Sequence, residues 1–234
     1  MATAENPNSE DSKEARVSQT PSEPPRDPIR ERMLYAQCAN WTAYIRARGQ
    51  RYERCRLANY ETGNPRQTAA VQKLLAYAES CQERIAAGVN VVLYGGSGTG
   101  KDHLVTGLVH ATIKRYSETW QPEIHWQSGP GLFAECRKAI ADEADDPLRK
   151  YRRAAVLVVS DLIPPCGTLT DYQSDVVYRL LDARYNDLRP LWVTLNVKDR
   201  AALNAAIGVA AADRLIDGAV VIPCDWDSYR KPVR

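Results

Sequence analysis

Seven residues constrain this chain more than any other feature. Gly95-Gly96-Ser97-Gly98-Thr99-Gly100-Lys101 has the spacing G-x-x-x-x-G-K, with the apolar run Val91-Val92-Leu93-Tyr94 before it and a helical pattern from Lys101 to about Tyr116 behind it. The order has a chemical reason. Glycines let successive backbone N–H groups curl around phosphate oxygens, the helix N-terminus adds positive potential, and the lysine reaches the β- and γ-phosphates. The strand–loop–helix context turns a common pattern into a specific one.

The rest of the chain alternates helix and strand around that loop. Pro65 opens a helix with apolar positions at Val71, Leu74, Leu75 and Ala78, ending near Ala87-Gly88. After the loop helix come a short strand around Glu123–Trp126, a helix over Leu132–Ala141 and an apolar strand, Ala155–Val159. A helix over Asp171–Asp187, a strand Leu191–Leu195, short helices Ala201–Ala206 and Ala210–Ile216, and a strand Ala219–Ile222 complete the pattern. Continuous apolar strands separated by helices predict an α/β fold, a parallel sheet covered on both faces.

The residue after the lysine breaks the rule. Ser or Thr is expected there, its hydroxyl a ligand of Mg²⁺, but the chain has Asp102. A carboxylate beside a triphosphate is repelled unless a cation lies between them. The second half of such a site is an apolar strand ending in one carboxylate for Mg²⁺ and one to orient the attacking water. The only good candidate is Ala155-Val156-Leu157-Val158-Val159-Ser160-Asp161. With Asp161 in the water-orienting place, the metal position falls on Ser160. Two expectations follow: either hydroxyl and carboxylate have exchanged strands, so that Asp102, Ser160 and Asp161 surround the metal, or the site has decayed into a nucleotide binder that hydrolyses slowly or not at all.

Upstream the chain changes character. Residues 1–27 carry six acidic side chains against three basic, with no aromatic, and read as a disordered acidic tail. Asp27-Pro28 has the look of a helix start, and residues 28–52 read as a helical region for docking a partner, with Trp41, Tyr44 and Ile45 as anchors. Seven arginines between Arg30 and Arg56, against Glu31 and Glu53, form a basic collar. The formal net charge of +2 therefore hides an acidic segment followed by a basic one. No apolar run approaches the roughly 18–20 residues that span a bilayer, and the N-terminus lacks the marks of a secretory signal, so the expected address is cytoplasmic. The six cysteines lie far apart and read as small buried hydrophobes.

Several spaced motifs in this order resemble the DnaC/IstB group of AAA+ ATPases: Gly95–Leu104, Arg189-Pro190 before Leu191–Asn196, Ala212-Asp213-Arg214-Leu215, and Trp226-Asp227-Ser228-Tyr229-Arg230. Cys55–Tyr60 is similar to the segment that leads into the family's core. Within the group the chain looks most like DnaC-type replicative helicase loaders, the Trp-Asp-Ser-Tyr-Arg ending favouring that branch over the transposition helpers. The resemblance implies a P-loop NTPase of AAA+ type over residues 53–234, with a five-strand parallel sheet, its first strand central, and no C-terminal helical lid. It implies ATP/ADP and Mg²⁺ as cofactors, held by Gly95, Gly96, Ser97, Gly98, Thr99, Gly100, Lys101 and Asp102. Asp161 would orient water, Asn196 would be the sensor of the γ-phosphate, and Arg214 would reach a neighbouring subunit's ATP, so that self-association runs through it. A local role for Arg214, capping Asp213 or Asp217, is the alternative. Ala210 stands where a second family arginine is frequent, and His103 is expected to pack without chemistry.

Loaders open a hexameric helicase and touch single-stranded DNA. Arg137, Lys138, Arg149, Lys150, Arg152 and Arg153, interleaved with Trp126, Phe133 and Tyr151, offer phosphate-binding cations and stacking faces for bases, or alternatively an ordinary solvated helix. The leading expectation is an ATP-switched loader that binds a replicative DNA helicase and single-stranded DNA. The alternatives are an IstB-like transposition helper ATPase, which would bind duplex DNA and a transposase, and a nucleotide-binding adaptor without catalysis.

Overall fold

Five short strands build one parallel sheet in a computed structural model that describes residues 49–115, 123–142, 145–164 and 168–230. The acidic tail and the docking helix with Trp41, Tyr44 and Ile45 lie outside these residues, as do Cys38 and Cys166. The strands are β1 (Val91–Gly95), β2 (Ile124–Ser128), β3 (Val156–Ser160), β4 (Leu191–Leu195) and β5 (Val220–Cys224). Their order across the sheet is β2-β3-β4-β1-β5. β1 is thus an inner strand, paired with β4 and β5, but the middle place belongs to β4 and not, as expected, to β1.

The described helices are α1 (Gln50–Glu53), α2 (Pro65–Glu79), α3 (Cys81–Ala86), α4 (Lys101–Lys114), α5 (Gly129–Ala141), α6 (Leu148–Arg153), α7 (Asp171–Asn186), α8 (Arg200–Ile207) and α9 (Val209–Ile216). The expected helix from Pro65 is two helices, because Ser80 interrupts it. The Ser80 hydroxyl donates to the Ala76 carbonyl at 3.1 Å and accepts from Arg84 Nε at 2.7 Å, a back-bond that bends helices. α2 starts where Pro65 predicts, with the Asn64 side chain accepting from the Arg66 and Gln67 N–H groups, each at 3.0 Å.

Alternation along the strands sends side chains to two cores. Val91, Leu93, Val156, Val158 and Trp192 point to the α2–α3–α4 side; Val92, Leu157, Val159, Leu191 and Val193 point to the α5–α9 side. This is why the strands read as unbroken apolar runs. α4 lies closest to the sheet, with Leu104, Val105, Leu108 and Val109 fully buried. The lead-in segment crosses it at Gly107, where a side-chain carbon would stand 2.7 Å from the Leu57 nitrogen. Cys55, Cys81, Cys136 and Cys224 are free thiols in the cores. No described helix is long and apolar enough to cross a membrane.

Candidate functional site

The carboxyl ends of parallel strands open onto loops, and there the polar residues of this fold collect. β1 ends in Gly95, and the loop from Gly96 to Gly100 turns into α4. Gly98 and Gly100 adopt φ of 83° and 84°, left-handed values that residues with side chains rarely take. Lys101 is buried, and its ammonium donates to the Gly95 and Gly96 carbonyls at 2.9 and 2.7 Å. Burial holds its pKa below the ordinary lysine value, against the opposing pull of the Asp102 and Asp161 carboxylates. The Cys224 thiol beside it is pushed up to about 12, also by burial.

Asp102, Asp161 and Asn196 meet around Thr194, a residue that no local sequence motif marks. Thr194 is fully buried on β4; its hydroxyl donates to Asp102 Oδ1 and accepts from the Asp161 N–H, both at 2.9 Å. Asn196 Nδ2 donates to Asp161 Oδ1 at 2.7 Å. Asp161 has φ of 50°, an uncommon conformation for a residue with a side chain, and it turns the chain out of β3 where the carboxylate is needed. Tyr52 of α1 adds a longer bond, 3.4 Å, to Asp102 Oδ2. Ser160 shares the α4 side of β3 with Val156 and Val158; it is buried and accepts from the Trp126 indole at 3.4 Å.

The donor types suit a magnesium ion: the Asp102 carboxylate, tied by the Thr194 hydroxyl to the Asp161 backbone N–H, the Asp161 carboxylate held by Asn196, and a second hydroxyl at Ser160. No group of three His, Cys, Asp or Glu side chains gathers among the described residues, so a cation here would rest on these oxygens and on nucleotide phosphates. Magnesium is ordinarily held that way.

The rim of the loop is made by distant parts of the chain. The Thr99 carbonyl accepts from Tyr60 Oη at 2.8 Å and Trp226 Nε1 at 2.9 Å, and the Gly98 carbonyl accepts from the Tyr229 N–H at 3.0 Å. Arg230 Nη1 reaches Ser97 Oγ at 3.2 Å. Motifs that marked a resemblance in the sequence therefore touch the loop itself. His103 packs, as expected, edge-on to Tyr60 at 5.3 Å and bonded to the Arg56 carbonyl at 2.9 Å.

Arg214 lies elsewhere. Asn90, just before β1, donates to the Leu215 carbonyl at 3.0 Å, so the end of α9 sits at the opposite end of β1 from the phosphate loop. Five residues of strand separate the two, about 16 Å. Arg214 pairs with Asp182 of α7 at 3.0 Å and covers the Tyr178 ring at 5.3 Å. The carboxylates expected as local partners are engaged differently, Asp213 by Arg200 and Asp217 by Tyr185.

The expected single-strand site needs correction. Trp126, Phe133 and Tyr151 are at most 4% exposed and belong to the cores, so none offers a face to a base. Arg137, Lys138, Arg149, Lys150 and Arg153 are exposed on α5 and α6, with Arg152 half-buried. Lys150 pairs with Glu135 and Arg152 with Asp146. Among the described residues this surface has cations for phosphates, and the three aromatics expected to stack with bases are buried.

Comparison with known proteins agrees with this geometry. The sequence model described as "IstB-like ATP binding protein" matches residues 44–234. A protein named for ATP binding in an insertion sequence of Mycobacterium tuberculosis is 27% identical over 181 residues, 72% of this chain and 65% of the relative. One named for ATP binding in insertion sequence IS232 of Bacillus thuringiensis is 26% identical over 147 residues, 60% of this chain and 55% of the relative. The chain thus spans between about half and two thirds of these relatives. The fold is similar to that of the DnaC helicase loader (TM-score 0.66, 19% identity, 75% of this chain and 99% of that one) and of DnaI (0.61, 18%, 77% and 93%).

Proposed function

Because this chain belongs to the family of IstB-like ATP binding proteins, we propose that it is a helper ATPase of the insertion-sequence kind, which binds ATP at Gly95–Asp102, holds duplex DNA and engages a transposase. The observation that carries the nucleotide part is the hydrogen-bonded chain Asp102–Thr194–Asp161–Asn196 beside the buried Lys101. Its members come from three different elements and meet only at the mouth of the phosphate loop. Lys101 would leave its two loop carbonyls for the β- and γ-phosphates. Asp161, held by Asn196, would orient the attacking water and accept its hydrogen bond. Asp102 with Thr194 and Ser160 would hold Mg²⁺, which offsets the phosphate charge that a carboxylate after the lysine would otherwise repel. Hydrolysis then resets the switch.

The insertion-sequence names of the relatives favour the transposition branch. The exposed cations of α5 and α6, with no aromatic face among them, suit the phosphates of a duplex better than unstacked bases. Arg214, too far from its own loop, is suited to a neighbouring subunit's nucleotide, once it leaves Asp182. A second reading, a helicase loader, is favoured by the Trp226–Arg230 ending. The test is capture from the native host with tagged chain and a non-hydrolysable ATP analogue, Lys101→Ala as control. Transposase retained with the analogue and lost in the control supports the helper; replicative helicase in its place moves the assignment to the loader. Competition between duplex and single-stranded oligonucleotides should favour the duplex, with affinity falling steeply as salt rises.

A further inference from the structure

The segment from Trp226 to Arg230 and the lead-in residue Tyr60 grip the phosphate loop from behind, and we infer that they are positioning residues that turn its N–H groups toward phosphate. The inference rests on the nucleotide-binding reading. It starts from the shape of a peptide bond. A trans peptide is planar, so its C=O and its N–H point in opposite directions. Where the C=O is fixed, the N–H of the next residue is aimed.

Two consecutive peptides of the loop are fixed in this way. The Thr99 carbonyl is held by two side-chain donors at once, Tyr60 Oη at 2.8 Å and Trp226 Nε1 at 2.9 Å. The Gly100 N–H therefore faces away from both. The Gly98 carbonyl is held by the Tyr229 N–H at 3.0 Å, which turns the Thr99 N–H away from the C-terminal segment. A glycine-rich loop without such restraint can rotate these peptides, and would have to lose that freedom when phosphate binds. Here the ordering is present beforehand.

The grip is built and not incidental. Tyr60 is 6% exposed, and burial raises its phenol pKa far above the ordinary value, which keeps the hydroxyl a donor. Tyr229 is fixed in turn: its hydroxyl donates to the Glu61 carbonyl at 2.5 Å and accepts from Gln67 Nε2 at 2.8 Å, and its ring meets Tyr60 edge-on at 5.6 Å. The glycines answer to the same contacts. A side-chain carbon on Gly100 would stand 2.8 Å from the Tyr60 ring, and one on Gly98 would collide with Ser228. Those glycines admit the clamp as well as the phosphate.

Calorimetric titration of ADP and, by ligand-observed NMR, of adenosine into the full chain tests this. Tyr60→Phe keeps its ring, Trp226→Phe keeps an aromatic ring of smaller size, and each removes one donor. Each should weaken ADP binding about five-fold, and the pair at least ten-fold, while adenosine binding stays as in the wild type. Loss confined to the phosphate-bearing ligand is what a role in mere folding would not produce. ADP affinity unchanged in the double variant, or adenosine weakened as much as ADP, overturns the clamp. A wild-type chain that binds neither overturns the nucleotide reading and the clamp together.

Discussion

Thr194 has one proton to donate and two lone pairs to offer, and this site uses the proton and one of the pairs. The proton goes to the Asp102 carboxylate and a lone pair to the Asp161 N–H, so one hydroxyl ties the start of α4 to the end of β3. Thr194→Val keeps the shape and removes both bonds; Thr194→Ser keeps them. Steady-state hydrolysis of ATP with Mg²⁺ should fall about 10–100-fold in the valine variant and stay within about three-fold in the serine variant, the range seen when a residue supporting a metal ligand is lost. In the sequence Thr194 looked like an ordinary strand former among Leu191, Trp192, Val193 and Leu195. A signal was available: a hydroxyl on an inward-facing position two residues before Asn196. The glycines and Lys101 were legible because their chemistry depends on local spacing, whereas the part of Thr194 depends on which strand lies beside β3 and on the partner that α4 presents.

At the scale of elements, α6 changed the meaning of a charged cluster. Its Leu148 and Tyr151, three apart, face the core and leave Arg149, Lys150 and Arg153 outward; the short helix lacked the length for a clear period in the sequence. A buried cation ties it down. Arg184 of α7, 1% exposed, donates to the Tyr151, Ala154 and Pro190 carbonyls at 2.6, 3.0 and 2.5 Å. Arg184→Met would remove three buried hydrogen bonds, the Pro190 carbonyl keeping only the Leu157 N–H at 3.3 Å, and should destabilise the fold by at least about 3 kcal/mol in urea unfolding. α4 carries a second device. His110 is buried there with Nε2 unpartnered, and its pKa is lowered by burial, with Arg56 and Lys114 nearby, from 6.5 to about 4. Between those values the unfolded chain binds more protons than the folded one, so stability is full above about pH 6.5 and is lost as pH falls toward 4. His110→Gln should remove up to about 2 kcal/mol of that acid-side loss, read as the difference between the two urea titrations at pH 7 and pH 4.5. Among the described residues the strands and longer helices followed from periodicity, caps and Pro65, whereas the break at Ser80, the helix α6 and the 3-10 turn Leu57–Asn59 did not.

Across the whole molecule, the phosphate loop is where the two ends of the described chain meet. Tyr60 arrives from the basic collar, Trp226, Tyr229 and Arg230 from beyond β5, and Thr194 and Asp161 from inside the sheet. The residue separations are large, and local pattern holds no record of them; only the presence of the motifs could be read, not that they touch. Arg214 stands at the other end of β1, paired with Asp182 and away from its own phosphate loop. All of this presupposes that ATP binds where Lys101 and Asp102 meet, and that the carboxylate in the hydroxyl's place makes a divalent cation necessary. The direct measurement is calorimetric titration of ATP into the full chain with Mg²⁺, with chelator, and with Mg²⁺ into Lys101→Ala. Binding is expected with Mg²⁺, at least ten-fold weaker binding with chelator, and none detectable in Lys101→Ala. Binding that is equally tight in all three, or no binding by the wild type with Mg²⁺, would contradict that expectation.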